Sequence, residues 1–190
     1  MLFRSVLSGI IISGFMQAAL GLLKYLADPD SQLQSIVYWQ LGSIAKLDIP
    51  SLLAALPMMI IGFIILIFFR WHLTIMSLGG QTAASQGINI ERERLVIILA
   101  ATLLTAGAVC LAGTIGWIGL VVPHIARRLI GDNARFALPL AAIFGAAFLL
   151  VIDTLARTMS AGEIPLSILT GFIGTPVFIY ILAHRKDLIQ

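Results

Sequence analysis

Six long apolar segments dominate this chain, at roughly residues 5–24, 52–69, 95–112, 115–130, 135–156 and 165–183, with short polar connections between them. A helix crossing a hydrocarbon core about 30 Å thick needs about 20 predominantly apolar residues, and most of these segments approach that length. Lipid offers no hydrogen-bond partners to a bare backbone, so each segment must satisfy its own amides and carbonyls as a helix. Composition excludes a soluble fold. Hydrophobic residues make up 59% of the chain and charged residues 11%, whereas soluble domains carry about 25% charged residues. The expected class is all-α: a polytopic membrane helix bundle of about six transmembrane helices, forming one domain over residues 1–190. The first segment continues for about 18 apolar residues to Leu23, longer than a signal-peptide core, and reads as a membrane span.

The basic residues set the orientation. With the N-terminus inside, Arg4, Arg70, Arg92, Arg94, Arg127, Arg128, Arg135, Arg185 and Lys186 fall on the cytoplasmic side, and Lys24, Lys46 and Arg157 fall outside. Nine against three is a positive-inside bias, so both termini are expected in the cytoplasm. Trp71 and Trp117 fall at expected span ends and Trp39 in the first external loop, where an indole can sit among headgroups. The net charge of +3 thus follows membrane topology and points to no nucleic-acid partner. In the external loop 25–50, Asp28-Pro-Asp30 precedes Tyr38-Trp-Gln-Leu-Gly-Ser43, which predicts a short surface helix ending near Gly42. In the internal loop 70–94, Leu78-Gly-Gly-Gln-Thr-Ala-Ala-Ser-Gln-Gly-Ile88 predicts a second short helix closed by Gly87. Its small residues would let another protein approach closely.

The fourth segment is interrupted. Gly113-Thr-Ile-Gly-Trp-Ile-Gly-Leu-Val-Val-Pro-His-Ile-Ala-Arg-Arg-Leu-Ile-Gly-Asp-Asn133 puts glycine steps, Pro123 and His124 inside apolar sequence and ends in paired arginines. It reads as a broken membrane helix. No second ligand lies at metal-binding spacing from His124, so its expected role is to hydrogen-bond a carbonyl freed by Pro123. Cys110 has no partner for a disulfide or thiolate site and reads as a small apolar side chain of the core. Asp153 and Arg157 are spaced i,i+4 and can pair near the outer end of the fifth segment. In the last segment, Ser167, Thr170, Gly171 and Gly174 give one face of small residues before Pro176. That face suits either close helix packing or the wall of a path.

The 113–133 stretch resembles the signature of the permease subunits of type II ABC importers, the FecCD family that moves iron–siderophores, haem or vitamin B12. The resemblance extends through Asp132-Asn-Ala-Arg135, Pro139, Asp153-Thr-Leu-Ala-Arg157, Glu163-Ile-Pro165 and Gly174-Thr-Pro176. It implies a single transmembrane permease domain corresponding to the last six of about ten family helices. A misplaced start, a split gene and a non-functional remnant would each account for such a chain.

Further expectations follow from the resemblance. The first and last segments would line the pore of a dimer, with Ser5, Ser8, Ser13 and Gln17 on the first and Ser167, Thr170, Gly171 and Gly174 on the last facing that path. Arg157 would meet an acidic residue of an extracytoplasmic substrate-binding protein. Gly79, Gly80, Gln81, Ala83, Ala84 and Gly87 would form the coupling helix that seats on a cytoplasmic ATPase dimer. Here Gly80 stands where the family commonly has an acidic residue. The chain has no phosphate-cradling GxxxxGK[ST] loop, so no catalytic residue is expected, and ATP-Mg would be bound by the partner. A second permease copy, identical or paralogous, would complete the path in a prokaryotic inner or plasma membrane. A self-contained ion-coupled transporter is the other class considered, but Asp153 is a solitary carboxylate close to the surface.

Overall fold

The computed structural model describes residues 2–45, 47–131, 133–159 and 162–183. The side chains of Ser5 and Gln81, and all of Asp132, Arg185 and Lys186, lie outside the described residues. The helices among the described residues are α1 (Leu2–Leu26), α2 (Gln32–Gln40), α3 (Ile49–Ser77), α4 (Gly80–Ser85), α5 (Ile90–Ala112), α6 (Ile118–Ile130), α7 (Ala134–Thr158) and α8 (Leu166–Ala183). The contacts divide the chain into two compact units, Met1–Gln40 and Leu41–Gln190.

The first unit is α1 and the short α2. The turn between them is built on Asp28, whose carboxylate accepts from the Ser31 hydroxyl at 2.6 Å and whose carbonyl accepts from the Leu33 amide at 3.0 Å. The Lys24 ammonium donates to the side-chain carbonyl of Gln40. α2 ends just before Gly42, as the turn chemistry anticipates.

Each of the six apolar segments forms a helix, but they differ in length. α1, α3, α5 and α7 are long and apolar enough to cross a membrane. Two of the six segments form shorter helices. α6 has only 13 residues, about 20 Å at 1.5 Å per residue, and the apolar part of α8 covers Leu166–Ile181. The reason for the short α6 is backbone geometry. Gly113 has φ +70° and Trp117 φ +66°, so the chain cannot turn helical until Ile118. α3 and α5, conversely, run beyond their apolar stretches, to Ser77 and back to Ile90. Their ends carry Arg70, Trp71, Glu91 and Arg92, which hydropathy alone assigns to loops.

Within the second unit, successive helices alternate in direction. The largest contact is α3 against α5, and it depends on a small residue. A Cβ on Gly62 would sit 2.7 Å from the Ala100 carbonyl oxygen, so only glycine allows this approach, as in close membrane-helix packing. A second core joins α7 and α8 through Ile152, Ala156, Leu166 and Leu169, with Ile44 and Ile115 packed on it from the connecting segments. α6 buries Val121, Val122 and Ala126. Large apolar side chains such as Phe63, Phe68, Leu99, Leu150 and Phe172 are exposed in the isolated chain. A lipid solvent imposes no cost on that exposure.

At one end of this unit lies α4. There Asn89 caps α5 by accepting from the Arg92 amide at 3.2 Å. Asn133 caps α7 through the Arg135 amide at 3.0 Å and also accepts from the Thr74 hydroxyl of α3 at 3.2 Å. Such caps satisfy amides that a helix start leaves orphaned. At the opposite end, three connecting segments lock together. The Leu166 and Ser167 amides at the start of α8 donate to the carbonyls of Gly42 and Leu41, while the Ser43 amide donates to Ala112. Gly42, at φ +79°, passes within 3.0 Å of the Thr114 carbonyl as measured from an added Cβ.

Candidate functional site

The small-residue face of α8 is divided between two surroundings. Thr170 and Gly174 are buried, and Gly174 receives the Trp117 side chain so closely that a Cβ there would lie 2.8 Å from Trp117 Cβ. Gly171 lies beside the same indole, 3.6 Å from its Nε1 by the same measure. Half of the face is therefore occupied by packing inside the chain. The Ser167 hydroxyl donates to the Thr114 carbonyl. Ser167 and Gly171 also border an open groove of about 550 Å³ with Ile168, Phe172, Thr175 and Pro176. The side of α8 available to a path is thus this groove and not the stripe through Thr170 and Gly174.

Trp117 was noted in the sequence only as an interfacial residue. It holds a positive φ that is uncommon for a bulky residue, and it also forms an edge-to-face pair with Phe178 at 6.3 Å. His124 meets the same Phe178 ring at 5.7 Å. His124 Nδ1 lies 2.8 Å from the Leu120 carbonyl. The expectation that His124 serves a carbonyl freed by Pro123 needs correction on this point. A proline at 123 withholds the amide that would reach residue 119, whereas the histidine ring bonds four residues back from itself.

On α1, Ser8, Ser13 and Gln17 are exposed. At about 100° per residue, Ser8, Ser13 and Gln17 alone spread over about half the helix circumference. That arc is broader than one lining stripe.

The internal loop forms the expected short helix. α4 is preceded by Gly79 at φ +117° and followed by Gly87 at φ +77°, two conformations that glycine adopts without penalty. It packs on α3 and α5. Ala83 is fully buried, and its carbonyl accepts from the Ile88 amide at 3.1 Å. Gly79, Gly80, Thr82, Ala84, Ser85 and Gly87 are exposed. Ala83 is thus the seat of the helix, and the outward surface belongs to its neighbours. Beside it, His72 Nδ1 of α3 and Glu93 Oε2 of α5 meet at 2.9 Å, off the axis of a linear hydrogen bond, with both atoms shut off from solvent. Sequence spacing gave no sign of this pairing, because the two residues belong to different helices.

At the opposite end, Arg157 Nε donates to Asp153 Oδ2 at 2.9 Å, the i,i+4 pair expected from spacing. A second carboxylate, Glu163 Oε1, lies 3.7 Å from Nη1. Glu163 sits beyond the end of α7, and its approach required the chain to turn back toward α8. The cluster is exposed enough to meet another molecule, and a guanidinium has five N–H donors, more than these two contacts use. Cys110 is exposed and not a core side chain. Among the described residues no three His, Cys, Asp or Glu side chains gather as a metal site.

The arrangement has clear relatives. Residues 2–184 match the FecCD transport family. This chain belongs to that family. It is 37% identical over 177 residues to the molybdate import system permease protein of Haemophilus influenzae, covering 93% of this chain and 52% of that protein. It is 37% identical over 187 residues to the hemin transport system permease protein of Yersinia pestis, covering 98% and 56%. A solved structure of an ABC transporter assigned to the metal-chelate type, in an inward-facing conformation, superposes with a TM-score of 0.86 at 37% identity. That match covers 94% of this chain and 58% of the other. The FecCD chain described here spans about half the length of the curated relatives it matches. As a family member with four long apolar helices, it is a multi-pass membrane protein of the transport-permease kind.

Proposed function

We propose that this chain supplies part of the translocation path of an ATP-driven importer and carries the element that couples it to ATP hydrolysis. The observation that bears most weight is α4. A short helix is fixed between two membrane-length helices by one buried alanine, and its outer surface is made of small residues. Movement of a partner seated there would be passed to α3 and α5, because α4 packs on both. The partner proposed is a cytoplasmic ATPase dimer that binds ATP-Mg. The positive-inside distribution supports a topology with α4 and both termini in the cytoplasm and Arg157 outside.

On this reading Arg157 and its two carboxylates face an extracytoplasmic substrate-binding protein, and a second permease copy, identical or paralogous, completes the path. The groove along Ser167, Gly171, Phe172 and Thr175, together with α1, would face that path. A ferric siderophore or related metal chelate is the proposed substrate, in keeping with a sparsely charged wall and with hemin as the cargo of one relative. The site is a prokaryotic inner or plasma membrane.

The test is reconstitution of the permease with its ATPase and binding protein in liposomes, reading uptake of a radiolabelled ferric siderophore. Ala84→Trp places bulk on the outer surface of α4 without entering its buried seat. The expected result is at least a tenfold loss of ATPase association and of uptake, with an unchanged melting temperature. Normal association in this variant would remove α4 as the coupling surface.

A further inference from the structure

A cavity of about 400 Å³ opens between α3, α6 and α7 at the α4 end of the second unit. Its walls are apolar, with Leu73 from α3, Pro123 from α6 and Ala137, Leu138 and Ala141 from α7. Two polar residues join them, Arg127 and Ser77, whose hydroxyl donates to the Thr74 carbonyl at 2.7 Å. Arg127 lies back along its own helix, with Nε 3.4 Å from the Pro123 carbonyl. Arg128 follows it, and Arg135 is the second residue of α7, where its guanidinium lies 6.0 Å from the Trp71 ring and 5.6 Å from the Phe136 ring. All three arginines are exposed. Among the described residues none of them takes part in an ion pair.

We infer that this cavity is a binding site for one anionic phospholipid. The ligand must be amphipathic, because the walls are hydrocarbon and the mouth is cationic. It must be anionic, because the Arg127 guanidinium belongs to the lining and the lining holds no carboxylate. The volume also fits. At roughly 30 Å³ for a group the size of a water molecule, 400 Å³ holds on the order of a dozen methylene-sized groups, most of one acyl chain. Basic pockets between membrane helices suit anionic headgroups, and an arginine fork can grip a phosphate through two N–H donors. Trp71, at the same end of α3, is of a residue type enriched at membrane interfaces. Since Asn133 and Thr74 tie α3 to α7 just beside the cavity, an occupant would brace the same helix ends that hold α4. The inference concerns binding alone and stands whether or not the transport reading does.

The test uses the full-length protein, reconstituted in bilayers of phosphatidylcholine with a minor fraction of phosphatidylglycerol, then released for native mass spectrometry. Wild type is expected to retain one phosphatidylglycerol, at least tenfold over its share of the bilayer. Arg127→Gln should reduce that retention at least fivefold, and Ala141→Phe, which fills the apolar wall, should do the same without removing charge. Arg94→Gln, an equal loss of charge on α5, should leave retention unchanged. Equal retention of the two lipids, or an Arg94→Gln effect as large as that of Arg127→Gln, would overturn the site in favour of diffuse surface charge. Displacement by millimolar inorganic phosphate would overturn it in favour of a soluble anion. Should Ala141→Phe fail to fold, Ser77→Leu at the rim gives the same reading.

Discussion

At the scale of single residues, the geometry around Trp117 decides how α8 is held. Gly174 accepts the indole at a distance that no side chain could share. Gly174→Val is therefore expected to overpack the site, at a cost of about 1–3 kcal/mol, seen as a lowered melting temperature in detergent. The same variant should shift Trp117 fluorescence, because the ring must leave its place. An unchanged spectrum and melting point would mean that α8 is not seated on this ring. Arg157 calls for a milder substitution than charge reversal. Glutamate there would place three carboxylates together, so Arg157→Gln is the cleaner probe. Loss of an exposed ion pair should change stability by no more than about 1 kcal/mol. Binding-protein association should slow and lose much of its salt dependence, as expected for a steering charge; identical association rates would rule out docking at Arg157. The Asp153–Arg157 pair was legible in the sequence because i,i+4 spacing is local. Glu163 and the His72–Glu93 contact were not, because chain reversals and neighbouring helices created them.

At the scale of elements, α4 separates two roles that the sequence presented as one surface. Ala83 and Ala84 are adjacent and chemically identical, yet one is fully buried and the other exposed. Ala83→Trp should unseat α4 from α3 and α5 and lower the melting temperature by several degrees, with coupling lost as a consequence. If it instead left stability intact while abolishing ATPase association, the assignment of Ala83 to the seat would fail. Hydropathy located every membrane helix but misjudged their lengths, for two physical reasons. Apolar windows miss helix ends rich in Arg, Glu and Trp, which is why α3 and α5 are longer than their greasy stretches. They also miss backbone breaks, and the positive φ at Gly113 and Trp117 shortened α6 where composition stayed apolar. Gly113 was a visible warning. Trp117 was not, since nothing about a tryptophan announces a left-handed backbone.

At the scale of the whole molecule, fold class and family were readable because both rest on long-range composition and an ordered series of motifs. The partition of the chain at Gln40 and Leu41 was not, because it depends on which helices touch. Function turns on the direction in which the second unit crosses the membrane. α4 and the Arg157 cluster lie at opposite ends of α3, α5 and α7, so one topology assigns both surfaces. Basic residues favour α4 inside, and this can be measured with the chain's own chemistry. Cys110 is its sole cysteine, so Cys110→Ser gives a thiol-free background. Into it go Ser85→Cys and Thr158→Cys, two exposed positions at opposite ends. A membrane-impermeant maleimide is expected to label Thr158→Cys in intact cells and Ser85→Cys only in inside-out vesicles. The reverse pattern would place α4 outside, where no ATP-driven partner could reach it, and the coupling and docking roles would fall together.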